Sequence, residues 1–351
     1  AAVAVASGQA AVALSIQNLC SAGDNIVSSP HIYGGTWNLF SNTLKQSGIE
    51  VRFSDPKNIE SFRALTDENT RAYFAETLPN PKLEVFPIEE VASIGEKFNI
   101  PLIVDNTAAP ITCKAIDYGA TIVVHSLTKY IGGHGSSIGG IIVDSGNFEW
   151  TNDPSRQPLL NLPDPSYHGA VWGELVPESL GAPIAYAIRA RVVLLRDLGY
   201  ALSPSNGFNF IQGLETLPLR FRIHQENAKQ VADYLNNHSK VSNVIYPGLF
   251  IGKQKEQVDK YLKHGFGALV GFELTDGLDG GKKFIDRLKL VYHVANIGDV
   301  RTLAIHPATT THSQLSPENQ IKSGVTPGYV RLSVGIEHID DIISDIEQAL
   351  E

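Results

Sequence analysis

The residues best suited to chemistry lie in "VVHSLTKYIGGHGSSIGG", residues 123–140, where an apolar run gives way to Ser126, Thr128 and a single lysine, Lys129. One segment earlier, Asp105 ends the apolar run "PLIVD", and earlier still Asn80 follows "YFAET". Tyr33 follows "NIVSS", and Ser7, Gly8 and Gln9 open the apolar stretch "QAAVALSIQNL". A lysine amine can condense with an aldehyde, and a carboxylate such as Asp105 can keep a pyridine nitrogen protonated so that the ring draws electrons from a carbanion. A phosphate would be held by the first amides of a helix at Ser7–Gln9, helped by hydroxyls, and Tyr33 could stack on a flat ring. These are the needs of pyridoxal phosphate. Each residue alone has a plainer reading: Lys129 a solvated charge, Asp105 or Ser7 a helix cap, Tyr33 half-buried core. The set is informative because complementary roles fall on consecutive segments.

Three other chemistries fit less well. Gly135, Ser137 and Gly139 spell the G-x-S-x-G of a hydrolase elbow beside His134, but an elbow needs a strand before the serine and a helix after it. Here a glycine-rich loop precedes Ser137 and the apolar run "IGGIIVDSG" follows it. The glycines do not have the G-x-G-x-x-G spacing of a dinucleotide loop. Among the 11 histidines there is no H-E-x-x-H, and His306 and His312 have no evident third ligand, so no metal is expected.

The elements that must position these residues alternate. Strands are expected at 25–29, 49–55, 70–77, 100–107, 120–126 and 138–146, and helices at 36–48, 56–66 and 87–99. Such alternation implies a mostly parallel sheet with helices on its faces, whose sites lie at the strand carboxyl ends. Residues 147–185, rich in Pro and Asn, read as a long insertion or loop. Helices are expected at 184–199 and 223–238, with "GLETLPLR" (213–220) leading from the first region into the second. Beyond it, strands in "VSNVIYP", "GALVGFELTDG" and "GYVRLSVGIE" alternate with the helices "GGKKFIDRLKL" and "HIDDIISDIEQALE". Ile339, Ile342, Ile343, Ile346 and Leu350 share one face of the last helix. The expected division is a large α/β domain over 1–220 and a smaller α+β domain over 221–351.

Composition narrows the partners. With 43% apolar residues the chain can bury a large core, and 28 basic against 37 acidic residues, with no basic run, argue against nucleic acid. Cys20 and Cys113 are the only cysteines, which points to a reducing, cytoplasmic setting, and no apolar run is long enough for a membrane span. The chain contains no Met, so its first residue is expected to lie within a longer translated chain.

The motifs "VVHSLTKYIGGHGSSIGGIIVDSG", "PLIVDNT", "ASGQAA", "YGGT", "GLETLPLR" and "YVRLSVGIEHIDDIISDIEQAL" together resemble the Cys/Met-metabolism family of pyridoxal-phosphate enzymes, over essentially the whole chain. The insertion's "PDPSYHGAVW", with "VVLLRDLGYALSP" and "ANIGDVRTLAIHP", resembles its O-acetylhomoserine sulfhydrylase branch. The resemblance implies fold type I, the aspartate-aminotransferase-like architecture: a mostly parallel mixed sheet sandwiched by helices, plus a smaller C-terminal α+β domain. It implies γ-replacement, O-acetyl-L-homoserine and sulfide giving L-homocysteine and acetate, in a homotetramer built as a dimer of dimers. It assigns Lys129 to the cofactor's aldehyde carbon, Asp105 to the ring nitrogen, Asn80 to the 3-hydroxyl, Tyr33 to the ring face, and Ser7, Gly8, Gln9, Ser126 and Thr128 to the phosphate. Arg331 would grip the substrate α-carboxylate, with Asn296 and Thr311 as further pocket positions. Family members carry an upstream segment whose Tyr and Arg reach the neighbouring subunit's phosphate, and nothing in this chain matches it. Two other readings stay open: γ-elimination or replacement as in cystathionine γ-synthase and methionine γ-lyase, and a folded chain without turnover.

Overall fold

The computed structural model describes the chain except residues 312, 314, 315 and 323 and the side chains of Asn319 and Lys322, so His312, weighed above as a metal ligand, lies outside the described residues. Seven strands form the first sheet: β1 (Ala2–Val5), β2 (Asn25–Ser28), β3 (Glu50–Phe53), β4 (Thr70–Glu76), β5 (Leu102–Asp105), β6 (Ile122–Ser126) and β7 (Gly140–Asp144). Their order is β1-β7-β6-β5-β4-β2-β3. From β3 to β6 all pairs are parallel, whereas β7 runs antiparallel to β6 and to β1.

Both faces of the sheet are covered, and side-chain alternation sorts residues between them. Ala72 and Phe74 of β4, Ile103 of β5, and Ile122 and Val124 of β6 pack in one cluster with Ala11 and Leu14 of the helix Gly8–Gln17. Tyr73, Ala75, Leu102, Val104 and Val123 point the other way, against Ile88 and Val91 of the helix Ile88–Lys97.

A second sheet comprises β8 (Val241–Ile245), β9 (Leu269–Leu274), β10 (Tyr292–His293), β11 (Leu303–Ile305) and β12 (Tyr329–Ser333), in the order β10-β11-β12-β9-β8. It is antiparallel except for the short β10–β11 pair. Val231, Ala232 and Leu235 of one helix and Ile342, Ile346 and Leu350 of another pack with its inner residues Val270, Phe272, Val330 and Leu332.

Several expectations are corrected. "GLETLPLR" is not a connector: it lies inside one helix, Pro204–Asn236, that also holds the expected 223–238 segment and carries Pro218 in its interior. That helix runs through residues 220 and 221. An interior proline removes one helical hydrogen bond and normally breaks the helix, yet here Leu217, Arg220 and Phe221 are buried on either side of it and packing holds the axis. The stretch 147–185 is partly helical, at Pro158–Asn161 and Trp172–Leu180. β1, β10, β11 and the helix Gly252–Tyr261 were not foreseen. In β1 the alternation is Ala against Val, too shallow to read, and only pairing of Val3 with Ile142 and Val5 with Gly140 makes it a strand.

Candidate active site

Strand parity brings the polar residues together. Since Phe74, Ile103 and Val124 face the Gly8–Gln17 helix, residues two positions on, Glu76, Asp105 and Ser126, must face it too, at the carboxyl ends of β4, β5 and β6. Glu76 and Asp105 are register partners on adjacent parallel strands. Burial raises both carboxyls above their ordinary range, and the Asp105 charge pushes Glu76 up further. Thr107 compensates Asp105 through both its hydroxyl and its N–H, and Glu76 has the Tyr33 N–H alone. Asp105 Oδ1 accepts from the Thr107 N–H at 2.9 Å, and Glu76 Oε1 from the Tyr33 N–H at 2.5 Å. Thr107 Oγ1 in turn accepts from the Ser126 N–H at 2.8 Å, tying β5 to β6 behind the carboxylate.

The helix N-terminus abuts this edge. Ser7 caps it, its hydroxyl accepting from the Ala10 N–H at 3.0 Å. Gly8 is pressed so close to β6 that an added Cβ would lie 2.6 Å from Ser126 Cβ. The free amides of a first helical turn and the Ser126 hydroxyl are thus side by side. Thr128 Oγ1 accepts from the Gly139 N–H at 3.2 Å, and Gln9 Oε1 from the Thr36 hydroxyl at 3.4 Å. Tyr33 precedes a helical run from Gly34 to Gln46 whose centre, Leu39–Thr43, is a wider π turn. Phe40 of that run stacks edge-on against Phe74 of β4, centroids 5.0 Å apart, which pins the run to the sheet. The Tyr33 ring is 61% exposed, so one face is open to a ligand.

Lys129 lies three residues past β6, in a turn where its carbonyl accepts from the Gly133 N–H at 2.7 Å. Its amine donates to Asn296 Oδ1. Burial, and then the Arg331 charge, push the amine down to about 8. Arg331 sits on the inner strand β12, 8% exposed, its Nη2 donating to the Asn296 carbonyl at 2.9 Å. Asn296 therefore bridges two cations from distant parts of the chain. Burial lowers Arg331 as well, and no carboxylate among the described residues pairs with it.

The remaining expected residues fall as follows. Asn80 follows β4 in the segment after Glu76, with its Oδ1 buried and unpartnered. Thr311 is exposed, past β11 and the turn Pro307–Thr309. Ser137 does not meet His134: its hydroxyl accepts from Asn209 Nδ2 at 2.9 Å, while His134 Nδ1 lies 2.6 Å from the Gly132 carbonyl. The hydrolase elbow is thereby excluded. His306 is held by Thr309 Oγ1 and the Pro327 carbonyl. Sequence reasoning missed Glu76. It could have been found, because an acid two residues beyond Phe74 on an apolar strand must face the same way as Asp105 does from β5.

Pyridoxal phosphate fits this donor set. The site offers an uncharged-prone lysine amine, a buried carboxylate, an open aromatic face, and helix amides beside hydroxyls. Of the twelve buried side-chain polar atoms without a partner among the described residues, Asn80 Oδ1 and Arg331 Nε belong to the expected site, where a polar ligand would complete them.

The comparisons with known proteins agree. The family model for Cys/Met metabolism PLP-dependent enzymes matches residues 1–351. The chain is 50% identical to the O-acetyl-L-homoserine sulfhydrylase of Leptospira meyeri, covering all of this chain and 80% of that one. It is 45% identical to the homocysteine/cysteine synthase of Saccharomyces cerevisiae, covering all of this chain and 81% of that one. A crystal structure from Campylobacter jejuni, assigned as an O-acetylhomoserine (thiol)-lyase and carrying a pyridoxyl-lysine monophosphate, superposes with a TM-score of 0.93 at 40% identity, covering 99% of this chain and 82% of that one. Fold, site chemistry and similarity over the full length converge, and the chain belongs to the Cys/Met metabolism family of pyridoxal-phosphate-dependent enzymes.

Proposed function

We propose that this protein exchanges the acetate of O-acetyl-L-homoserine for sulfide, giving L-homocysteine and acetate. What supports the reading is the convergence of the Lys129 amine, Asn296 and Arg331, in a chain similar over its whole length to O-acetylhomoserine sulfhydrylases; burial there brings the amine to about 8. At pH 7 roughly a tenth of such amines are uncharged, against about one in three thousand for an ordinary lysine. That fraction serves first as nucleophile and then as base. Asp105 would hold the ring nitrogen of pyridoxal phosphate, Tyr33 its face, Asn80 its hydroxyl and Ser7, Gly8, Gln9, Ser126 and Thr128 its phosphate, and the group would supply the electron sink.

The chain's own groups do the rest. Arg331 holds the substrate α-carboxylate with its guanidinium fork, for which the unpartnered Nε is available. Lys129 takes the Cα proton and then one from Cβ, so that acetate departs from Cγ; sulfide adds at Cγ as HS⁻, and protons return to Cβ and then to Cα. Asn296 accepts from the lysine amine and so fixes its direction. Thr311 is a further pocket position in this reading, as the resemblance implies. Names of relatives support the substrate pair: sulfhydrylases and homocysteine synthases recur among them at 44–50% identity. The proposal extends to a cytoplasmic homotetramer, a dimer of dimers.

The test is reduction with borohydride in the presence of pyridoxal phosphate, followed by peptide mapping and assay. Label on Lys129, homocysteine formed only with sulfide present, and no turnover by Lys129→Ala are expected. An oxo acid and ammonia released at full rate without sulfide would instead make it a γ-lyase.

A further inference from the structure

The helix Pro204–Asn236 presses on the segment just after Lys129, backbone against backbone. A Cβ added to Gly213 would lie 2.3 Å from the Ile131 carbonyl oxygen and 3.1 Å from that of Gly132. One cation enters this contact. Arg220, 7% exposed, donates from Nη1 to the Tyr130 carbonyl at 2.8 Å and from Nη2 to the carbonyls of Ile131 at 3.0 Å and Gly213 at 2.7 Å. Its Nε donates to Thr216 Oγ1 at 3.1 Å. Gly133, at φ 75°, leaves the space: an added Cβ would lie 2.2 Å from Arg220 Nη1.

No carboxylate among the described residues pairs with Arg220, and burial alone lowers it. A buried cation without a counter-charge is a poor way to fill a core, since an apolar side chain of similar volume does so at lower free energy. What an arginine adds is a rigid fork of donors that reaches several fixed acceptors at once, which a lysine's single nitrogen cannot do. Two of the four acceptors here are the carbonyls of the two residues that follow Lys129.

We propose that Arg220 is a positioning residue for Lys129: its fork ties the Tyr130 and Ile131 carbonyls to the helix and so holds the lysine amine at Asn296 and beside Arg331. The inference rests on the reading of Lys129 as the reactive amine. It explains why "GLETLPLR" ends in arginine although Arg220 touches neither the amine nor the open site.

The test is to titrate the Lys129 amine in the cofactor-free full-length chain by competitive labelling with trace acetic anhydride and peptide mass mapping. Wild type, Arg220→Lys and Thr216→Val are compared, with kcat and KM measured on the reconstituted enzymes. Arg220 is not among the charges that bear on the amine, so its substitution acts on the titration through the position and hydration of Lys129 and not through its own charge. Expected for Arg220→Lys is an apparent pKa raised by about half a pH unit or more as water reaches the amine. Its kcat should fall about a hundredfold, as a ~1 Å misplacement does, with KM for the amino acid within about threefold. Thr216→Val should shift both less and in the same direction. Unchanged Lys129 titration and kcat, even with a lower melting temperature, would reduce Arg220 to a core cation and overturn the proposal. If Arg220→Lys does not fold, Thr216→Val decides by the same criteria. Failure of the site reading is separable: cofactor would then be reduced onto a lysine other than Lys129 in the wild type.

Discussion

Replacing Arg331 by methionine should weaken substrate binding and stabilise the protein at once. The guanidinium is 8% exposed, makes one hydrogen bond, to the Asn296 carbonyl, leaves Nε unpartnered, and has no carboxylate beside it among the described residues. A buried ion loses several kcal/mol of hydration, and one hydrogen bond from a charged donor returns about 1.5–3 kcal/mol, so a methionine of similar volume should stabilise the cofactor-free protein by about 1–3 kcal/mol. Over a chain of this size that corresponds to a melting temperature higher by a few degrees, roughly 2 °C per kcal/mol. Losing a two-pronged grip on the substrate carboxylate removes about 2–4 kcal/mol, a KM increase of roughly 30- to 1000-fold. The Lys129 amine should rise from about 8, since one of its two depressing influences is gone, but stop short of the ordinary 10.5 because burial is the larger. A base held below its unfolded pKa favours folding more as pH climbs from the folded value to the unfolded one, so this gain between about 8 and 10.5 should shrink in the variant. Urea unfolding across that range, with steady-state kinetics, reads all of these. A variant less stable than wild type by more than about 1 kcal/mol, or one with unchanged KM, would refute the reasoning.

Other substitutions probe the frame around the site. Glu76→Gln keeps an oxygen for the Tyr33 N–H but removes a carboxyl whose folded pKa is raised; that carboxyl favours folding only below its ordinary range, 4.5, and loses the benefit as pH rises. The variant should therefore gain stability relative to wild type as pH increases from 4 to 8, by denaturation of cofactor-free protein, and a pH-independent difference would count against a raised Glu76. Gly213→Ala places a Cβ 2.3 Å from the Ile131 carbonyl, where backbone must move; a destabilisation of about 1–3 kcal/mol with a drop in kcat is expected, and a silent substitution would show the contact to be loose. Asp24→Ala strands Arg71, whose Nε and Nη2 meet Asp24 Oδ1 at 2.8 and 2.7 Å in a side-chain pair only 9% exposed on each side. That should cost about 3–5 kcal/mol by thermal denaturation, and Asp24→Leu with Arg71→Met should recover most of it; a double variant as unstable as the single would contradict the stranded-charge account.

The parts of the fold that were legible are those encoded over a few neighbouring residues. The strands around Ile26, Phe74, Val104 and Val124 are short apolar runs bounded by turn formers, and the last helix repeats its isoleucines at helical spacing; such patterns survive any tertiary context that buries them. β1 and the Pro204–Asn236 helix were not legible, because a short Ala–Val alternation and an interior proline are locally ambiguous or contrary, and pairing with β7 or packing around Phe221 overrides them.

The site divides along the same line. Lys129, Asp105, Ser126 and the Ser7–Gln9 helix start could be named from sequence since each sits at an element end that the local pattern defines, and their chemical types limit the cofactor they serve. Tertiary structure alone decided what surrounds them. It set Glu76 beside Asp105 through strand register, brought Asn296 and Arg331 onto an amine 167 and 202 positions away, and placed Arg220 behind the lysine's own turn. Those relations rest on burial and on distances between remote segments, which determine how strongly each charge is desolvated. The sequence thus named the candidate groups, while the fold set how strongly each of them is desolvated.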